Sequence, residues 1–164
     1  MFAAVAAAVG YILMSVPNIE GVTAVLFVAG YVLNFRLGVL AAVIAALLYF
    51  GLNPQGGMFP PLLAAQVLGI AAAPIAGATL RSLKRSNPIL YLYLGLSAVI
   101  VTIWYDLLTN IAFPLSAGFD FRGIMVTLAA GIPFSLIHIA GNTAVFVLII
   151  PAVLKVVDRY IPSG

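Results

Sequence analysis

The chain has no cysteine. Disulfides, thiolate metal sites and cysteine nucleophiles are therefore excluded. Charge is nearly as scarce. Asp, Glu, Lys and Arg make up 7% of the 164 residues, where a soluble domain carries about a quarter. The single histidine leaves a zinc site short of ligands, so no metal site is expected. A net charge of +3, spread along the chain, does not suit nucleic acid. No glycine-rich phosphate loop with a Lys-Ser/Thr ending is present, so the chain does not itself hydrolyse ATP. No cofactor is implied.

What remains is apolar. Hydrophobic residues make up 65% of the chain, more than a water-soluble fold of this length can hide. Lipid is the expected solvent. The length suits one integral membrane domain spanning residues 1–164. The first apolar run is not preceded by Lys or Arg. It ends at Val16-Pro17-Asn18 without a small-residue cleavage site, so it reads as a retained helix rather than a signal peptide.

Five polar or Gly/Pro clusters interrupt the apolar sequence, around Pro17–Gly21, Asn34–Arg36, Asn53–Gly57, Arg81–Pro88 and Pro114–Arg122. They leave six segments, at about 2–16, 21–33, 37–52, 59–80, 89–113 and 123–157. The segments are rich in Ala and Leu, lack the alternation of barrel strands and are mostly too long for them. In lipid, backbone groups must bond internally, so the segments read as helices. The expectation is an all-α bundle of six transmembrane helices. A span needs about 20 residues. Segments 4, 5 and 6 meet that length, whereas 1 and 3 are short. Segment 2 is shorter still and reads as a partial helix that depends on protein neighbours. Segments 2 and 3 can alternatively form one re-entrant hairpin, with the same topology. Segment 6 is too long for one straight span. Gly131 and Pro133 are candidate kinks, and its tail is expected to leave the membrane near Pro151.

Lys and Arg give the orientation. With the N-terminus inside, the inner loops and tail hold Arg36, Arg81, Lys84, Arg85, Lys155 and Arg159, and the outer loops hold only Arg122. This bias places both termini in the cytoplasm. Small residues mark close helix contacts. Ala65, Gly69, Ala73 and Gly77 recur on segment 4, and Ala41, Ala42, Ala45 and Ala46 recur on segment 3. These read as internal packing. On segment 1, Ala3, Ala7, Ala4 and Ala8 form a small face that can receive a partner protein instead.

Ionisable groups inside lipid are costly and point to function. Asp106 is the only acidic residue inside a segment. With Thr102, Thr109 and Asn110 it lies on one helical face. Ser135, His138 and Asn142 form a second stripe on segment 6. Antiparallel neighbours can turn these stripes toward each other. The pairing suits a substrate pocket, a structural polar clamp or a proton relay. A catalytic site is not expected. One His with one Asp is too few groups, and Ser135 shares a helix with His138. Asp106 lies roughly 25 Å along its helix from the inner end, so a pocket there opens outward. Outer-loop residues Asn18, Glu20, Asn53, Gln55, Asp120 and Arg122 would close it, with Gln66 nearby. Trp104 and Tyr105 flank Asp106 and offer stacking faces, or else belong to an interfacial aromatic belt. The stretch from Asn53 to Pro61, with Gly56-Gly57 and Pro60-Pro61, reads as a shaped loop over a ligand.

The size, the six spans with both ends inside and the early small-residue pattern together resemble the substrate-binding S component of energy-coupling factor (ECF) transporters. The Pro17-Asn18-Ile19-Glu20 break, the tight inner turn between Gly30 and Gly38 and the Asp106/Thr109/Asn110 cluster add to the likeness, which covers nearly the whole chain. The resemblance implies a multi-pass protein of a prokaryotic cell membrane that captures a vitamin or related micronutrient from outside. It also implies a membrane coupling subunit and two cytoplasmic ATPases as partners. Ala3/Ala7 or Ala4/Ala8 would contact the coupling subunit, and the pocket would use helices 4 to 6 and the outer loops. Metal-transporting members carry histidines near a processed N-terminus. None occurs here, so a metal-ion substrate is disfavoured. The competing expectations are a membrane scaffold of the rod-shape-determining type and a small autonomous proton-coupled transporter, with a membrane enzyme last.

Overall fold

A computed structural model describes residues 1–53, 59–81 and 89–160. Among these residues the chain is helical, with no strand. The helices are α1 (Phe2–Leu13), α2 (Val22–Leu33), α3 (Phe35–Tyr49), α4 (Pro60–Ile70), α5 (Ala72–Leu80), α6 (Ile89–Ser116), α7 (Phe121–Leu148) and α8 (Ile150–Tyr160). The pairs α4/α5 and α7/α8 are each interrupted at a single residue, so the eight pieces make six rods.

Both interruptions have the same cause. A proline offers no N–H to the carbonyl four residues earlier. Pro74 leaves the carbonyl of Ile70, the last residue of α4, without its helical partner. Pro151 does the same to Val147, one residue before α7 ends. The long final segment therefore breaks at Ile149. Its helix continues through Gly131 and Pro133, where a kink was expected, with no helix end at either residue.

Three rods are long and apolar enough to cross a membrane: Pro60–Leu80, Ile89–Ser116 and Phe121–Tyr160. The other three, Phe2–Leu13, Val22–Leu33 and Phe35–Tyr49, are shorter apolar helices. The surface is oily, with Ile100, Phe113, Phe121, Val126, Leu136 and Leu148 all more than 60% exposed, while Thr102, His138 and Asn142 are buried. This inside-out arrangement is that of a helical membrane protein.

The short helix α2 is the most enclosed of the set. Nine of its 12 residues are buried, among them Leu26, Phe27 and Ala29 at 0% exposure. Phe27 meets Phe146 of α7 edge to face at 5.0 Å between ring centroids. The hydroxyl of Tyr31 donates to Asp158 of α8 at 3.0 Å. Protein therefore supplies most of what surrounds α2, as its length suggested. The close approach is set by glycine. A Cβ on Gly77 would lie 1.9 Å from the Phe27 carbonyl oxygen, and one on Gly30 would lie 1.9 Å from that of Pro74. Side chains larger than hydrogen cannot occupy either position without moving backbone.

α2 and α3 are joined through one residue, Asn34, at φ 107°. Its side chain accepts from the Leu37 amide at 3.1 Å and so caps α3. The small-residue stripes sort as follows. Ala65, Gly69, Ala73 and Gly77 are buried, as are Ala41, Ala42, Ala45 and Ala46. On α1, Ala3 and Ala7 are buried inside the chain, whereas Ala4 and Ala8 face outward.

Candidate functional site

α6 and α7 run as consecutive long helices, and the two polar stripes meet between them. The His138 ring donates from Nδ1 to Asp106 Oδ1 at 2.8 Å. Asn142 Nδ2 donates to Thr102 Oγ1 at 2.9 Å and lies 3.2 Å from His138 Nε2. With the amide in this orientation Nε2 is the acceptor, so the ring is neutral and carries its proton on Nδ1. Rotating the amide by half a turn would offer its oxygen to a doubly protonated ring. Asp106 Oδ2 and Asn142 Oδ1 are buried acceptors without a partner among the described residues. Unfilled acceptors in a buried network are costly, and a donor brought by a ligand or water would offset that cost.

Above this chain of bonds lies a cavity of about 350 Å³, within the range of small-molecule sites. The α1–α2 connection forms one wall through Met14, Pro17, Asn18 and Glu20. The end of α3 adds Tyr49 and Phe50. α6 contributes Tyr105, Asp106, Thr109 and Asn110, and α7 contributes Phe134, Ser135 and His138. Tyr105 stands edge-on to the His138 ring at 5.9 Å and faces Phe50 at 6.3 Å. The lining therefore combines two carboxylates, a histidine, two amides and several aromatic rings. It includes no Lys or Arg among the described residues.

Several of these groups also have structural duties. Both oxygens of Glu20 accept from the Thr23 amide, at 3.3 and 3.2 Å, and the Thr23 hydroxyl adds a further bond. Glu20 thus closes the first turn of α2 while facing the cavity. Thr109 donates its hydroxyl to its own helix, at the Tyr105 carbonyl, 2.9 Å away. Asn18 holds φ 58°, a conformation that asparagine tolerates better than most residues.

Of the residues singled out from sequence, Asn18, Glu20, Asp106, Thr109, Asn110, Ser135 and His138 line one cavity. Asn142 supports it from below through His138. Gln66, half-buried on α4, does not line it. Trp104 does not line it. Its indole points to α4 and donates to the Leu68 carbonyl at 3.2 Å, and the residue is 45% exposed. The tyrosine next to it is the aromatic wall. Asn53 is half-buried in the connection that follows α3, outside the lining. Asp120 is the N-cap of α7, accepting from Gly123 at 2.8 Å, and neither it nor Arg122 lines the cavity. Gln55, with most of the Asn53–Pro61 loop, and Lys84 and Arg85 lie outside the described residues. Tyr49 and Phe50 belong to the wall and were missed. Their signal was position, since they close α3 just before the Gly/Pro-rich loop. No group of three or more His, Asp or Glu that could hold a metal occurs among the described residues.

No family model matches the chain, and neither a curated protein nor a solved structure matches it.

Proposed function

We propose that this chain is the substrate-capture subunit of an ECF-type importer, taking a vitamin or related micronutrient from outside the cell membrane. In this reading all six rods sit in the bilayer, both termini are cytoplasmic, and the cavity between α6, α7 and the α1–α2 connection faces outward. The observation that carries it is the lining: Asp106 presents a buried carboxylate oxygen without a partner among the described residues, beside Tyr105, Phe50 and Asn110 in one cavity. A heteroaromatic ligand that donates hydrogen bonds or carries positive charge fits such a lining. Thiamine-like and pterin-like molecules have that chemistry. Transport would require a membrane coupling subunit and two ATPases. On α1, the outward-facing Ala4 and Ala8 are the residues available to such a partner.

A thermal-shift panel tests the proposal with the purified full chain and thiamine, pterin and corrinoid compounds. A true ligand at a hundred times its Kd stabilises by about 2.7 kcal/mol, and Asp106→Asn should abolish the shift. Asparagine keeps the size of the side chain and an acceptor for His138. A panel without any stabilising compound would count against the proposal.

One observation favours a second reading, the proton-coupled transporter. The bonds linking Asp106, His138, Asn142 and Thr102 are continuous, and reversal of one amide would accommodate a second ring proton. Proton-dependent flux in liposomes without any ATPase would favour it.

A further inference from the structure

A second, outer crevice of about 300 Å³ lies along the seam between α6 and α7. Ile103, Leu107, Met125, Leu128, Ala129 and Ile132 form its apolar sides. Four of these, Ile103, Leu107, Met125 and Ile132, are between 41% and 56% exposed, so the crevice lies open on the oily surface. Its remaining residues are Asp106, Asn110 and Ser135. The same three line the inner cavity. The boundary between the two spaces is thus made of small polar side chains. It is thinned further at Gly131, where a Cβ would stand 3.1 Å from the Asn110 amide.

Plain helix packing does not explain this. A lipid-facing crevice closed for packing alone would be floored by apolar or small residues, because polar groups next to hydrocarbon are costly. Here a carboxylate, an amide and a hydroxyl sit at the floor of an apolar slot. They are the groups that the inner cavity also presents.

We infer that the site takes a single-chain amphiphile, with a cationic or donor-rich head in the inner cavity and an apolar tail passing the Asn110/Ser135 boundary into the α6–α7 crevice. The inference rests on the capture reading and extends its ligand class to heads that carry an apolar tail, which thiamine and pterins lack. Electrostatics sets the head. Glu20 and Asp106 both line the cavity, and its described lining holds no Lys or Arg, so a phosphate-bearing lipid head would be repelled. The ligand is therefore a free amphiphile and not a resident phospholipid.

The test uses the full chain in phosphatidylcholine nanodiscs and a series of N-alkylpyridinium ions with ethyl, octyl and dodecyl chains. The dodecyl member carries a diazirine at the chain end. Affinities are corrected for partition into protein-free nanodiscs. The ethyl compound should bind through the head alone, and after that correction the octyl and dodecyl compounds should bind severalfold more tightly, because the crevice walls pack closer against the chain than lipid does. Photolabelling should fall on residues 125–132 and on Ile103 or Leu107. Ala129→Trp, at an exposed crevice position, should remove the chain-length gain without weakening the ethyl compound, and Asp106→Asn should weaken every member. Added phosphatidylethanolamine should not compete. Equal affinity across the series, or label spread over other lipid-facing helices, would overturn the inference. Retained ethyl binding in that case would leave the capture reading standing, whereas loss of Asp106-dependent binding across the series would remove both.

Discussion

At the scale of single residues, helical periodicity carried the site. Thr102, Asp106, His138 and Asn142 share faces by spacing alone, and in the structure they bond to one another. Spacing was less able to separate Trp104 from Tyr105. Adjacent positions on a helix differ by about 100°, and adjacent residues such as Tyr105 and Asp106 can both face one cavity, so spacing does not choose between Trp104 and Tyr105, and both residue types also suit the membrane interface. Tertiary packing decides it: Gly69 of α4 leaves room for Tyr105, since a Cβ there would stand 2.6 Å from its ring. Tyr105→Ala should therefore weaken ligand binding by roughly two- to thirteenfold, the range of a lost aromatic contact of about 0.5–1.5 kcal/mol. Trp104→Ala should leave affinity within about twofold. Titration of the two variants with the same ligand checks this.

At the scale of elements, the six apolar runs were legible because Pro, Gly and charged clusters punctuate them. The two extra breaks were not foreseen in place, although each follows from a proline and the carbonyl four residues before it. Fixed junctions of this kind make clear predictions. Asn34 sits at φ 107°, a value few side chains tolerate, and it also caps α3. Asn34→Ala should cost about 0.5–2 kcal/mol, and Asn34→Gly only a few tenths. Unfolding in mixed detergent reads both. Gly77 should be far less forgiving. A Cβ there meets the Phe27 carbonyl, so Gly77→Leu should destabilise by about 3 kcal/mol or more, seen as lost monodisperse yield or a strongly lowered Tm.

At the scale of the whole molecule, composition identified the solvent and the three long apolar rods agree with it. The centre of the bundle was harder to read. α2 was legible as a dependent helix from its length, but that it forms the buried hub follows from its close contacts with α5 at Gly30 and Gly77; the small-residue stripe on segment 4 marks a close helix contact without naming its partner. The proposed orientation is open to a direct check, because the chain has no native cysteine. In cells, Gly118→Cys should react with an impermeant maleimide added outside. Lys155→Cys should react only after the membrane is opened. The reverse pattern would invert the proposed topology and turn the cavity toward the cytoplasm.

The central claim is that Asp106 anchors a small ligand in the cavity between α6, α7 and the α1–α2 connection. Native mass spectrometry of the purified full chain tests it most directly. The wild type and Thr102→Val should each carry one bound small molecule, since Thr102 lies beyond Asn142 and outside the lining. Asp106→Asn should carry none. A wild-type protein without adduct, or one whose adduct persists unchanged in Asp106→Asn, would contradict the claim.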